Sequence, residues 1–451
     1  MNIHILGICG TFMGGIAALA RADGHAVSGQ DQNVYPPMST QLEELGIRLS
    51  EGYSAEAVPK QTDLVIIGNA LSRGNAAVEH VLDAGLNYVS GPRWLGENYL
   101  AGKQVLAVAG THGKTTTASM LAWILEDAGK QPGFLIGGIP GNFGISARAG
   151  KKIFVVEADE YDTAFFDKRA KFVHYRPSIA ILNNLEFDHA DIYPNLGAIE
   201  TQFHHLMRTI PGNGSVVVNR HDASLRRVLD RGCWSQTSMF GIDGETDAEW
   251  RVRPLEPAGR ELEIFHHDES AGAVTWNQTG RHNALNATAA VAAAARAGID
   301  PADAVAALAG FKGVKRRMEY LGQTGGVNVY DDFAHHPTAI RLTLEGLRRA
   351  VGGARILVAL QPASSTMRGG YHLDQLAPAL APADFVFLHS TEALDWDPSA
   401  LFAKLQSGGR FRGQVDNMLG DLRAEIRSGD HVVFMSNRGF GNAPQRFIEG
   451  A

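Results

Sequence analysis

The sequence predicts an α/β protein made of three consecutive α/β domains. Three observations carry this prediction: a length of 451 residues, a strand-then-helix rhythm that restarts twice, and a glycine-rich loop joining an apolar strand to a helix at the start of the second unit. A chain this long exceeds the size at which one hydrophobic core keeps growing, so two or three domains are expected.

The first unit alternates short apolar runs with helical patterns: a strand over 3–8, a helix over 14–22, and strands at 26–27 and 64–68. Such a rhythm suits a parallel sheet with crossover helices. The pattern resets at 95–103, and the apolar run 105–109 opens the second unit, which continues through strands at 153–156 and 179–182. Three alternating runs, 251–253, 262–265 and 273–276, predict a small antiparallel patch, and an Ala-rich helix over 284–297 closes the unit. Strands at 327–330, 356–360, 385–388 and 432–435 form the third. With boundaries in 95–103 and 311–315, the domains are 1–98, 99–312 and 313–451.

Composition narrows the function. Acidic residues exceed basic ones only modestly, 48 to 41, and no Lys/Arg-rich run occurs, so nucleic-acid and membrane-surface roles lack support. Small-molecule partners are expected instead. Cys9 and Cys233 are the only cysteines, which excludes a disulfide framework and points to a reducing compartment. The N-terminus lacks the basic, apolar and cleavage segments of a leader, and no apolar stretch approaches a membrane span, so a cytoplasmic location is expected.

The most informative residues are Gly110, Thr111, His112, Gly113, Lys114, Thr115 and Thr116, between the apolar run and a helical stretch at 118–126. Glycines let backbone amides approach phosphate oxygens, Lys114 adds a mobile positive charge, and the Thr115 hydroxyl suits magnesium. A nucleoside triphosphate site is therefore expected. The general pattern has a further glycine where this chain has Val108, so the loop is a shortened variant. Magnesium needs carboxylate support. Glu157, Asp159 and Glu160 end one apolar strand, with Glu157 the first choice, and the segment 183–191, ending His189, Ala190, Asp191, follows another. Doubly wound sheets bind ligands at such strand ends. In the first unit Gly7, Gly10, Thr11, Met13 and Gly14 lie where a strand opens into a helix, an arrangement that fits a diphosphate. Asp31, after the next strand, imitates the ribose-binding acid of dinucleotide enzymes, so that loop alone leaves a dehydrogenase open.

The strings 110–116, 157–160 and 186–189, then Arg281, His282 and Asn283 with Asn286, and finally 331–337, occur in this order in the Mur ligases of peptidoglycan synthesis, which the chain resembles over its whole length. The resemblance implies a Rossmann-like domain binding a UDP-sugar, a P-loop ATPase-like central domain, and a Rossmann-like C-terminal domain for the incoming amine. It implies ATP and Mg2+ as cofactors and Lys114, Glu157, His189, His282 and Asn283 as the catalytic set. Lys114 would hold the ATP phosphates with the rest of its loop, Thr115 and Glu157 a first magnesium, and Glu157 with His189 a second. His282, Asn283 and Asn286 would lie near the adenine and the transferring phosphate; Arg317 would contact the nucleotide and Asp331 its ribose. Gly7, Gly10, Thr11, Met13, Gly14 and Asp31 would serve the UDP-sugar. His189 and His282 both stand open as the group that deprotonates the amine.

Some relatives carry a carbamoylated lysine shortly after the histidine; residues 191–208 contain no lysine, as in the subgroup that accepts UDP-N-acetylmuramate itself. The strings 33–39, 160–169, 183–191 and 435–441 are similar to members that attach the murein tripeptide L-alanyl-γ-D-glutamyl-meso-diaminopimelate in cell-wall recycling. An L-alanine ligase and a nucleotide-binding regulator that forms no amide are the alternatives. Oligomeric state is not legible. Arginine suits the peptide's acidic end because its planar fork pairs carboxylates. Many relatives have arginine at 363 and lysine at 368, where this chain has Ala363 and Arg368, and Arg438 replaces a common glycine. Arg368 is expected to contact the peptide, with Arg438 compensating for Ala363.

Overall fold

The computed structural model describes residues 1–34, 38–405 and 407–450; residues 35–37 of the 33–39 string lie outside the described residues. The first sheet is five parallel strands in the order Arg48–Glu51, Ala26–Asp31, Asn2–Leu6, Leu64–Ile67, Tyr88–Ser90. Ile3, Ile5 and Leu6 are all buried, as an interior parallel strand covered on both faces requires. The strand order reverses at Asn2–Leu6, whose chain runs through Gly7 into helix Thr11–Ala22, so the loop sits at the switch point of the sheet. That helix lies tight against the central domain. A Cβ on Gly15 would fall 2.2 Å from Leu135 Cδ1 and 3.2 Å from Ala147 Cβ, so a side chain there would force the helix or Leu135 to shift.

The central sheet has ten strands, with Gln104–Ala109 between Ile153–Ala158 and Ile179–Leu182, all three parallel. The expected antiparallel patch exists as Trp250–Pro254, Glu261–His266 and Glu269–Thr275. It is not a separate unit: Trp250–Pro254 pairs in parallel with Gln236–Ile242 and so extends the same sheet. Helix Arg281–Arg296 packs against helix Lys114–Asp127, and its many buried alanines, among them Ala287, Ala290 and Ala294, let them approach closely. This contact sets Asn283 and Asn286 beside the start of the phosphate-loop helix.

The third sheet runs Glu319–Thr324, Val327–Asp332, His431–Met435, Ile356–Leu360, Phe385–His389, Gly408–Arg412, parallel except for the first pair. Its four interior strands match the apolar runs in the sequence. The two outer strands are largely solvent-facing, and their mixed composition hid them. Separate apolar clusters cover the two faces, one around Leu344 and Val358, the other around Phe387 and Phe434.

Candidate active site

The strand Gln104–Ala109 ends in Gly110, whose φ of 144° is open to glycine; Gly113, at φ 80°, caps helix Lys114–Asp127. Gly113 also sits where a Cβ would lie 2.6 Å from Asn286 Oδ1, so a side chain there would collide with the neighbouring helix. The loop is bolted to the end of strand Ile179–Leu182. Thr111 N donates to Asn184 O at 3.1 Å, His112 N to Asn184 Oδ1 at 2.7 Å, and Glu186 N to Thr111 Oγ1 at 2.9 Å. The helix N-terminus therefore presents amides from a fixed frame, a setting suited to phosphate oxygens.

Two cavities meet at this loop. One holds Lys114, Thr115, Glu157, His189 and Arg317, with Phe12 reaching in from the first domain. Thr115 Oγ1 donates to Glu157 Oε1 at 3.0 Å, and the other oxygen of Glu157 accepts from Gly137 N at 2.6 Å. Arg317, from the third domain, donates to the same threonine oxygen at 3.0 Å. Lys114 Nζ lies 2.7 Å from Glu160 Oε2 and 3.6 Å from Asp159 Oδ1. Burial disfavours its charge, but those two carboxylates outweigh burial and hold its pKa above the ordinary lysine value. Glu160, only 1% exposed, also faces His189, whose Nε2 is 3.3 Å from Oε1. Burial lowers the basicity of His189, but Glu160, then Asp188 and Asp159, lift it to about 9, so the imidazole is charged near neutrality.

His189 thus neighbours Asp159 and Glu160, with ligand atoms within 4.8 Å of one another, whereas Glu157 neighbours Thr115. The resemblance pairs His189 with Glu157 instead, and the sequence offers Glu160 only as one of three strand-end carboxylates behind Glu157. The hard oxygens of Thr115 and Glu157 facing one cavity suit magnesium. Lys171, which the sequence gave no reason to select, holds Asp159 at 2.9 Å from beyond a hairpin.

The second cavity is lined by His282, Asn283, Asn286, Asn183 and Thr116, and by Asp332 of the third domain. Its amides form a chain. Asn183 Nδ2 donates to Thr117 Oγ1 at 2.9 Å and lies 3.4 Å from Asn286 Oδ1, while Asn286 Nδ2 donates to Asn283 Oδ1 at 3.3 Å. Burial pushes the His282 imidazole down to about 4, and its Nδ1 has no hydrogen-bond partner. A neutral, weakly basic His282 and a charged His189 are both poor proton acceptors at pH 7 as they stand.

Asp331 lines neither cavity. It lies 3.3 Å from Arg316, and burial raises it to about 6. Its neighbour Asp332 faces the cleft, accepting from Met318 N and Ala334 N at 2.7 Å each. The third domain is held to the central one through His336 Nδ1, 3.5 Å from Glu186 Oε2, and Thr366 Oγ1, which donates to Asp188 Oδ1 at 2.9 Å.

In the first domain Gly7 adopts φ 82°, and Asp31 accepts from Cys9 N at 2.8 Å, so Asp31 braces the loop in this structure. Gly10 precedes the helix that Thr11 opens, leaving that helix end without a side-chain cap. Met13 is a correction: its side chain is 6% exposed, packs near Gly68 and Gly91 and belongs to the apolar core. Gly14 is buried against Met38. Arg368 and Arg438 line neither cavity and converge on Glu392, each through Nη1. Glu392 was missed, although its position just past strand Phe385–His389 is a signal the sequence carries.

Fold and site together define an enzyme whose phosphate loop is flanked by two further α/β domains, each lending a residue to the central cleft. Residues 2–102 match the Mur ligase family catalytic domain, 108–294 the Mur ligase middle domain, and 316–438 the Mur ligase glutamate ligase domain. The chain is 51% identical over 452 residues to a protein of Escherichia coli (strain K12) named UDP-N-acetylmuramate--L-alanyl-gamma-D-glutamyl-meso-2,6-diaminoheptandioate ligase, covering 100% of this chain and 98% of the other. The Haemophilus influenzae protein of the same name is 48% identical, with 99% and 98% covered. The crystal structure of a murein peptide ligase from Psychrobacter arcticus 273-4 superposes with a TM-score of 0.78 at 42% identity, covering 100% of this chain and 98% of that one. The chain belongs to the Mur ligase family.

Proposed function

We propose that this enzyme joins the lactyl carboxylate of UDP-N-acetylmuramate to the amine of L-alanyl-γ-D-glutamyl-meso-diaminopimelate, with ATP as the energy source, in cytoplasmic murein recycling. The observation that carries the chemistry is one cavity in which Lys114, Thr115 and Glu157 meet Arg317 from the third domain and Phe12 from the first. The choice of amine is supported by full-length identity to the two relatives named for that tripeptide. The domains divide at 98/99 and 312/313, the first holding the UDP-sugar and the third the peptide.

A carboxylate is a poor electrophile for an amine, so its oxygen must first become a leaving group. The lactyl carboxylate attacks the γ-phosphorus of ATP, ADP departs, and an acyl phosphate forms. Lys114 and Arg317 offset the charge that develops on the transferring phosphoryl oxygens. Thr115 and Glu157 would hold magnesium, which would supply Lewis-acid charge neutralisation when bound. Asn283, Asn286 and Asp332 line the chamber on the other side of the loop, and we assign the nucleoside to it. The peptide's amine then attacks the acyl carbon, and the tetrahedral intermediate collapses to amide and inorganic phosphate. The contacts of Thr366 and His336 with the central domain hold the third domain over the reacting group and limit its hydrolysis by water.

The test is phosphate release from purified protein with UDP-N-acetylmuramate, ATP and magnesium, offered the tripeptide or L-alanine. Release with the tripeptide is expected; release with L-alanine alone would overturn the choice of amine.

A further inference from the structure

Arg368, Glu392 and Arg438 come from three loops that follow three neighbouring parallel strands, Ile356–Leu360, Phe385–His389 and His431–Met435. They share the carboxyl edge of the sheet with Asp332 and His336, which follow the next strand and enter the catalytic cleft. Ligands of open α/β sheets bind along this edge.

We propose that these three side chains form a subsite for an α-amino acid zwitterion at the far end of the incoming peptide. The two guanidinium groups take its carboxylate and Glu392 takes its ammonium. This rests on the ligase reading above and deepens it by naming the group that fixes the peptide's end.

Three observations carry the assignment. First, the chemistry is matched: an arginine pair alone attracts a carboxylate and repels an ammonium, and Glu392 between them makes the pair accept both. Arg368 Nε is buried and has no hydrogen-bond partner, leaving a donor directed at no protein acceptor. Second, the reach is matched. The loops of Arg438, Arg368 and Glu392 lie one, two and three strand spacings from Val327–Asp332, roughly 5–14 Å, and three extended residues span roughly 10 Å; a γ-linkage and a long diamino acid side chain extend that span. Third, the subsite is tied to the reacting groups. Thr366, in the loop of Arg368, bonds Asp188 beside His189. Arg316 Nη2 donates to Ser436 O and Arg438 O at 2.7 Å each, and its neighbour Arg317 bonds Thr115.

Steady-state kinetics with two peptides test this: the native tripeptide, and an analogue whose distal ammonium is replaced by hydrogen. The unmodified enzyme should show a KM about tenfold higher for the analogue, the value of one charge-assisted hydrogen bond. Glu392→Gln should raise KM about tenfold for the native tripeptide, leave KM for the analogue unchanged, and leave kcat alone with both; Glu392→Asp should recover part of the loss. An equal rise for both peptides, or no rise, overturns the subsite while leaving the ligase reading intact. No phosphate release by the unmodified enzyme with the native tripeptide overturns the ligase reading, and the subsite with it.

Discussion

The carboxyl edge of the central sheet and that of the third sheet both gather charged side chains from loops, but they do so differently. In the central domain the ions are enclosed: Lys114 is 12% exposed and Glu160 only 1%, and each has partners fixed by buried loops. In the third domain Arg438 is 52% exposed and Glu392 39%, so both face solvent. Enclosed charges are strong and cannot reorganise, which suits a reaction whose developing charge is always in the same place. Half-exposed ion pairs contribute little to stability and exchange partners readily, which suits recognition of a peptide that arrives and leaves. Common chemistry is thus buried, and substrate choice is left at the surface.

Substitutions in the two regions should separate accordingly. Lys114→Ala removes the enclosed cation, and turnover should fall roughly 1000-fold with tripeptide KM little changed; a loss confined to KM would break the contrast. Arg317→Ala cuts the third domain's contact with Thr115 and should lower kcat about 100-fold, read from single-turnover formation of ADP. Arg438→Ala should raise tripeptide KM about tenfold and spare kcat. A fall in kcat instead would place that arginine with the reacting groups.

The smallest expected effect is on stability. In the folded protein His189 titrates near 9, above the unfolded value of 6.5. Its contribution is therefore fully present below about pH 6.5 and is lost as pH rises through about 9. Its side chain is 25% exposed, so the gain is at most about 3 kcal/mol. In chelator-treated protein, the difference in denaturation midpoint between the unmodified chain and His189→Asn should be largest near pH 6 and vanish above pH 9. A pH-independent difference would mean that the His189–Glu160 ion pair contributes nothing to stability.

The phosphate loop was legible because strand, loop and helix are contiguous, and each residue type there answers a local need. The third domain's interior strands were legible for the same reason, as unbroken apolar runs. Pairings across the fold were not. Nothing near Lys171 indicates that it meets Asp159, and Glu160 looked no more special than its neighbours until the fold buried it between Lys114 and His189. The two aspartates at the end of Val327–Asp332 show the limit most plainly. Side chains alternate along a strand, so only one of Asp331 and Asp332 faces the cleft, and the sequence alone does not give the register. Met13 failed for a related reason: the direction of a helical side chain depends on how the helix docks, and here it points inward.

Tripeptide ligation through an acyl phosphate at Lys114 leaves an isotopic signature. Supplying UDP-N-acetylmuramate with oxygen-18 in its lactyl carboxylate, together with ATP, magnesium and the tripeptide, tests it directly by mass spectrometry. One labelled oxygen is expected in the released inorganic phosphate, the other in the new amide, and no label in the nucleotide; label in AMP, or unlabelled phosphate alongside the amide product, would rule out an acyl phosphate.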